Sequence, residues 1–215
     1  MTSEESLDAG EFSPWLDSIL GALDGERGSD VPCRSCTACC TSSQFVHIEP
    51  DERETLAHIP AEMLFPAPKL PRGHLVMGYD ENGHCPMLIE GRCSIYVYRP
   101  RTCRVYDCRV FAASGQGIDD PGKDSIASQV RRWEFLFPSG EDRVAYESVR
   151  AAADFLCEHA AEIGGGTTAI GPAERSVLAV QLHDLFLDRN GDPGASTVTT
   201  PGINAVRVEL RRRAG

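Results

Sequence analysis

Eight cysteines fall within residues 33–108 of a 215-residue chain, and their spacing is the first sign of chemistry. One cluster reads Cys33-Arg34-Ser35-Cys36-Thr37-Ala38-Cys39-Cys40; the second comprises Cys85, Cys93, Cys103 and Cys108. A turn between two closely spaced cysteines lets both sulfurs converge on one ion, as in zinc knuckles and iron–sulfur loops. Adjacent Cys39 and Cys40 differ, because neighbouring side chains leave any regular backbone in different directions. They are not expected to share one mononuclear ion: they serve two centres, or one ligates while the other packs.

The surroundings narrow the chemistry. Residues 1–12 are acidic and lack the basic start and apolar core of a secretory signal, so the reading is cytoplasmic. In a reducing compartment disulfides do not persist, and clustered thiols are expected to be metal ligands or redox groups. Lys+Arg number 21 against 32 Asp+Glu, a net charge of -11, which argues against nucleic-acid phosphate as the main partner. No apolar run approaches the roughly 20 residues of a membrane-spanning helix. Hydrophobic residues at 41% and charged residues at 25% are ordinary for a globular domain with a real core.

The elements that must position the thiols follow from periodicity. Residues 1–32 read as an acidic helix and linker, with Ser13 as N-cap and Trp15, Ile19, Leu20 and Leu23 on one face. Residues 33–111 form the cysteine-rich core. In it, 44–48 and 75–79 read as strands, a helix opens at Glu49-Pro50-Asp51-Glu52, and 86–89 returns as a strand after the turn 80–83. Residues 112–215 read as a helical part packing on that core. Helices are expected over 125–137, 142–163, 172–187 and 201–213, separated by a polar loop at 188–200. The expected fold class is α+β: a small loop-rich core with short strands, wrapped by helices. Metal would organise loops too poor in apolar residues to pack alone.

The cysteine segments also carry a family resemblance. Residues 33–40, then Cys85, Cys93-Ser94-Ile95-Tyr96 and Arg99-Pro100-Arg101-Thr102-Cys103-Arg104, resemble the CxxCxxCC cysteine-cluster family, also called YkgJ-like. Members are described as zinc- or iron-chelating, and the family looks related to flagellin lysine N-methylases. The resemblance spans about 33–110. It implies ligand roles for Cys33, Cys36, Cys39, Cys40, Cys85, Cys93 and Cys103, and supports Cys108 less well. It also singles out Arg99 and Arg104. Arginines there would offset the charge of a thiolate centre and donate to sulfur.

Two metal assignments stay open. Cys-x2-Cys-x2-Cys with a distant Cys85-Pro86 is similar to one half of a bacterial ferredoxin pattern, which favours a four-iron, four-sulfur cluster. Cys33 and Cys36 with Cys103 and Cys108 would instead make two short-spaced pairs for one tetrahedral zinc. His47, His58, His74 and His84 are expected to be structural or exposed, and Cys157 a buried thiol on a helix. The glycine run 164–166 reads as a helix end, and 188–199 as an acidic turn and not a calcium loop. The function expected is metal handling or redox at a zinc or iron–sulfur centre, with the metal ion, and a protein, as partners. The alternatives are a protein-modifying enzyme of the methylase type and a structural zinc module for protein interaction.

Overall fold

The computed structural model describes residues 5–25, 28–29, 31, 35–163, 170–189 and 196–214. In chain order the regular elements begin with β1 (Leu7–Glu11), α1 (Phe12–Leu23), β2 (Val46–Ile48), α2 (Arg53–Ala57), β3 (Leu64–Pro66) and β4 (Leu75–Met77). Next come β5 (Leu88–Ile89), β6 (Arg92–Cys93), α3 (Arg101–Val105), α4 (Arg109–Ser114), α5 (Asp124–Arg132) and β7 (Trp133–Leu136). The chain finishes with α6 (Gly140–Glu158), α7 (Ala160–Ile163), α8 (Pro172–Leu182), β8 (Leu187–Asp188), β9 (Thr197–Val198) and α9 (Ile203–Ala214). The fold is α+β, with short strands in small sheets. No described helix is long and apolar enough to cross a membrane.

The chain divides into two compact units. One comprises 1–20, 108–118 and 130–215; the other comprises 21–107 and 119–129.

The first unit is built on helices. In α6, Val149, Ala152, Ala153 and Leu156 recur at helical spacing and are fully buried. This face packs on α8, and α4 packs on both helices. Ser114 donates to Ser176 across the α4–α8 contact at 2.9 Å, so two buried hydroxyls satisfy one another. A capping box starts α6: the Ser139 hydroxyl accepts from the Asp142 N–H, and the Asp142 carboxylate accepts from the Ser139 N–H. The same carboxylate accepts the Ser13 N–H at 3.2 Å, tying α1 to α6.

Several expectations are corrected in this unit. Ser13 is not an N-cap, because α1 begins at Phe12 directly after β1. The buried face of α1 is Phe12, Trp15, Leu16, Ile19 and Ala22, whereas Leu20 and Leu23 are only half-buried. Phe12 anchors that face, with ring centroids 5.1 Å from Phe135 and 5.3 Å from Tyr146. The helix expected over 125–137 stops at Arg132, and β7 pairs parallel with β1, Leu7 facing Trp133. Alternation explains the switch: Trp133 is buried and Phe135 half-buried, while Glu134 and Leu136 are exposed. Cys157 is exposed, one position beyond the buried Leu156 on the helix wheel. The glycine run 164–166 and residues 190–195 of the polar loop lie outside the described residues.

The second unit centres on an antiparallel sheet of order β2-β4-β3. Val46 faces Met77 across β2–β4, and these two join Ile48, Ile59, Met87 and Ile95 in one small core. Strand β5 does not return along β4 as expected. It pairs with β6 through the two-residue turn Glu90-Gly91, and β4 takes β3 as its second partner. Both turn residues have positive φ, 50° and 73°, the geometry of a type I′ hairpin. Residues 53–57 form the expected helix one turn late, after Pro50.

Candidate metal centre

Four local devices bring thiols together in the second unit. The first is the loop before β2. Its short 3-10 turn, Cys39–Thr41, is closed by Ser42, whose hydroxyl donates to the Ala38 carbonyl at 2.6 Å. The chain entering this loop is anchored by Ser29. Its N–H donates to the Arg104 carbonyl at 2.8 Å, and its hydroxyl donates to Asp107 at 3.0 Å.

The second device joins that loop to the Cys85 loop. The Cys85 N–H donates to the Cys40 carbonyl at 2.7 Å, and the Ser43 N–H donates to the Gly83 carbonyl at 2.9 Å. Gly83 has φ +78°, and a Cβ there would stand 2.4 Å from the Ser43 hydroxyl, so a larger residue would be strained and would displace that side chain.

The third device is the β5–β6 hairpin, which places Cys93 opposite Leu88. The backbone N–H groups of Met87 and Leu88 turn toward the Cys85 thiol and favour its ionised form. Backbone donors on sulfur in a tight turn are what a metal-bound thiolate needs. Desolvation outweighs them here and pushes the Cys85 thiol up, with Cys93 adding to the rise. Both Cys85 and Cys93 pack against the small apolar core.

The fourth device is α3, which carries Cys103. Glu52 is buried and caps this helix: its carboxylate accepts the Arg101 N–H at 2.5 Å and the Glu49 N–H at 2.9 Å. The Thr102 hydroxyl donates to the His47 carbonyl at 2.7 Å, pinning α3 to β2. Cys103 keeps an exposed surface, yet desolvation by the protein around its sulfur pushes the thiol up to about 12. The nearby thiols of Cys85, Cys40 and Cys93 add to that rise, and Arg99 opposes it. Cys40, Cys85, Cys93 and Cys103 therefore form one electrostatic neighbourhood in which further negative charge is resisted until a cation joins it.

The remaining candidates are placed as follows. Cys36 and Cys39 lie in the same loop as Cys40; Cys33 lies outside the described residues. Cys108 is buried in the other unit, where its sulfur accepts the Trp133 indole N–H at 3.2 Å. Arg99 stacks on Tyr96, 4.1 Å from the ring centroid, and its charge acts on Cys103. Arg104 faces Glu52 at 3.6 Å. Arg101 pairs with Glu49 and Asp51, and Arg109 donates to the Ala9 carbonyl. His47 and His74 share a hydrogen bond at 2.9 Å, and His58 stacks on Tyr98.

No disulfide joins the described cysteines. Among the described residues, no group of three or more His, Cys, Asp or Glu is gathered tightly enough to hold a metal ion. The donor chemistry nevertheless fits a soft or borderline cation: thiols from four separate segments, backbone N–H groups on one sulfur, and no carboxylate among the four. Sequence reasoning missed Glu52. Its signal was available in principle, since Glu49-Pro50-Asp51-Glu52 was read only as the opening of its own helix.

Residues 32–123, less than half of the chain, match the family model CxxCxxCC, described as "Putative zinc- or iron-chelating domain". The match supports metal binding in general terms. No curated protein and no solved structure matches the chain.

Proposed function

We propose that this chain, whose residues 32–123 carry a CxxCxxCC domain, holds zinc or an iron–sulfur cluster through thiolates of its second unit, for metal handling or redox. The observation that supports the reading is that the thiols of Cys40, Cys85 and Cys93 all act electrostatically on that of Cys103, although the four come from separate segments of the chain. Four sulfurs suit a tetrahedral zinc ion or a four-iron cluster equally. Bound metal would supply the positive charge that lets the four thiols ionise side by side.

The protein's own contribution is to hold the sulfurs in place. Glu52 and Thr102 fix α3 under Cys103, the Glu90-Gly91 hairpin aims Cys93, and the rungs between Cys40 and Cys85 join the two cysteine clusters. Cys36 and Cys39 stand in reserve on the loop of Cys40 and offer a relay for metal entering or leaving. Cys108 lies in the other unit and is assigned here to packing.

Metal analysis of anaerobically purified, chelator-free protein tests this. Stoichiometric zinc, or iron with sulfide and a visible charge-transfer band, supports it and decides between the two. Metal-free protein from metal-replete cells refutes it.

A further inference from the structure

Residues 119–129 belong to the thiol-bearing unit, although the chain on either side of them belongs to the other. Within this excursion, Lys123 is half-buried, and its ammonium donates to the Ser42 carbonyl at 2.8 Å and the Ser43 carbonyl at 3.4 Å. Those carbonyls directly follow the Cys39–Thr41 turn. The Lys123 backbone is itself fixed: its carbonyl accepts from Ala127 at 2.9 Å at the start of α5, a helix held by the buried Ile126 and Gln129. Burial lowers the proton affinity of the amine, while the charges of Asp120 and Cys39 raise it, so the ammonium lies within electrostatic reach of a cluster sulfur.

We propose that Lys123 is a positioning residue of the thiol site: it straps down the loop bearing Cys39 and Cys40 and sets a fixed positive charge beside them. The proposal rests on the metal-binding reading above only for its second half. An ammonium bonded to two carbonyls is stronger than a neutral pair and sits at a defined point. A thiolate centre is anionic, and a fixed neighbouring cation retains it. Arg99 and Arg104 are the expected sources of such charge; Arg99 acts on Cys103, whereas Arg104 faces Glu52. Lys123 adds a charge on the Cys39 side.

Three variants of the full chain test the proposal: Lys123→Met, Lys123→Gln and Lys123→Arg. Amide exchange of residues 39–43 in metal-stripped protein reads the strap. Release of zinc to an excess of chelator reads the charge. Exchange across α6 and α8 confirms that the other unit is folded. Lys123→Met is expected to speed both exchange and release about tenfold or more. Lys123→Gln keeps a donor without the charge and should slow exchange again while release stays fast. Lys123→Arg should return both toward the native rates.

Native exchange in Lys123→Met overturns the strap. Equal release from the Gln and Arg variants overturns the charge. If Lys123→Met fails to fold, the Gln and Arg pair still separates the two contributions. If the native chain holds no metal, the metal reading and the charge both fall, and exchange alone still decides the strap.

Discussion

The indole N–H of Trp133 donates to the sulfur of Cys108 over 3.2 Å, inside the unit that holds neither Cys85 nor Cys103. Cysteine count alone groups Cys108 with its neighbour five residues earlier. The hydrogen bond gives it a different task. Cys108→Val should leave bound metal unchanged and destabilise the chain by about 1–3 kcal/mol, since the buried indole donor loses its acceptor. Denaturant melts followed by tryptophan fluorescence, with metal analysis alongside, check both halves. Loss of metal in this variant returns Cys108 to the ligand set.

The cluster thiols should behave oppositely. Cys103→Ser and Cys36→Ser are expected to lower bound metal, while Cys157→Ser leaves it intact. Cys157 is exposed on α6 and should react with maleimide in native protein at close to the rate of a free thiol. Mass spectrometry of briefly labelled, metal-loaded protein would show the contrast. Labelling of Cys103 ahead of Cys157 would count against metal protection.

Glu52 should matter without touching metal. Its carboxylate joins the starts of α2 and α3, and Glu52→Ala leaves the Arg101 and Glu49 N–H groups without that acceptor. The second unit should lose about 2–3 kcal/mol, with amide exchange rising first over 100–105. Metal affinity should fall with it, and α6 and α8 should keep their protection. Unchanged exchange at 100–105 would show that Pro100 and Thr102 suffice to hold α3.

Acid should loosen the first unit through Asp142. Hydrogen bonds from Ser13 and Ser139 hold its carboxyl at about 2, below the ordinary 3.8. A lowered folded value means that the stabilisation is present above the ordinary value and is lost as pH falls from there toward about 2. Asp142→Asn should flatten that limb of a stability-against-pH curve. Ser139→Ala, which removes the cap, should cost about 1 kcal/mol at neutral pH. A steep acid limb that survives in Asp142→Asn would place the titrating group elsewhere.

The fold class and the local elements of this protein were legible in its sequence, whereas its long-range pairings were not. Val46 to Ile48 and Leu75 to Met77 announce themselves as strands, and α9 follows its expected span, because each signal is local. Pairings were not local. Leu7 meets Trp133 from the far end of the chain, and the helical pattern through 125–132 runs on into Trp133 and Phe135 without a breaker. The order of the cysteines pointed to a thiol site, and the thiols of Cys40, Cys85 and Cys93 lie within electrostatic reach of Cys103. The groups that hold those sulfurs were hidden. Glu52 reads as an ordinary acidic helix start, and nothing in the residues around Lys123 points back to Ser42.

The chain changes unit after residues 20, 107, 118 and 129, and two of those crossings fall inside the stretch that matches the family. The recognisable pattern and the folding unit therefore have different edges. Excising 32–123 would carry along Val110, Phe111 and Ala113 while leaving behind α6 and α8, on which α4 packs. Those residues would become a sticky, uncovered surface. A fragment cut to the motif would be prone to aggregate, and its failure to bind metal would say nothing about the thiols. The cysteine pattern therefore has to be tested in the whole chain.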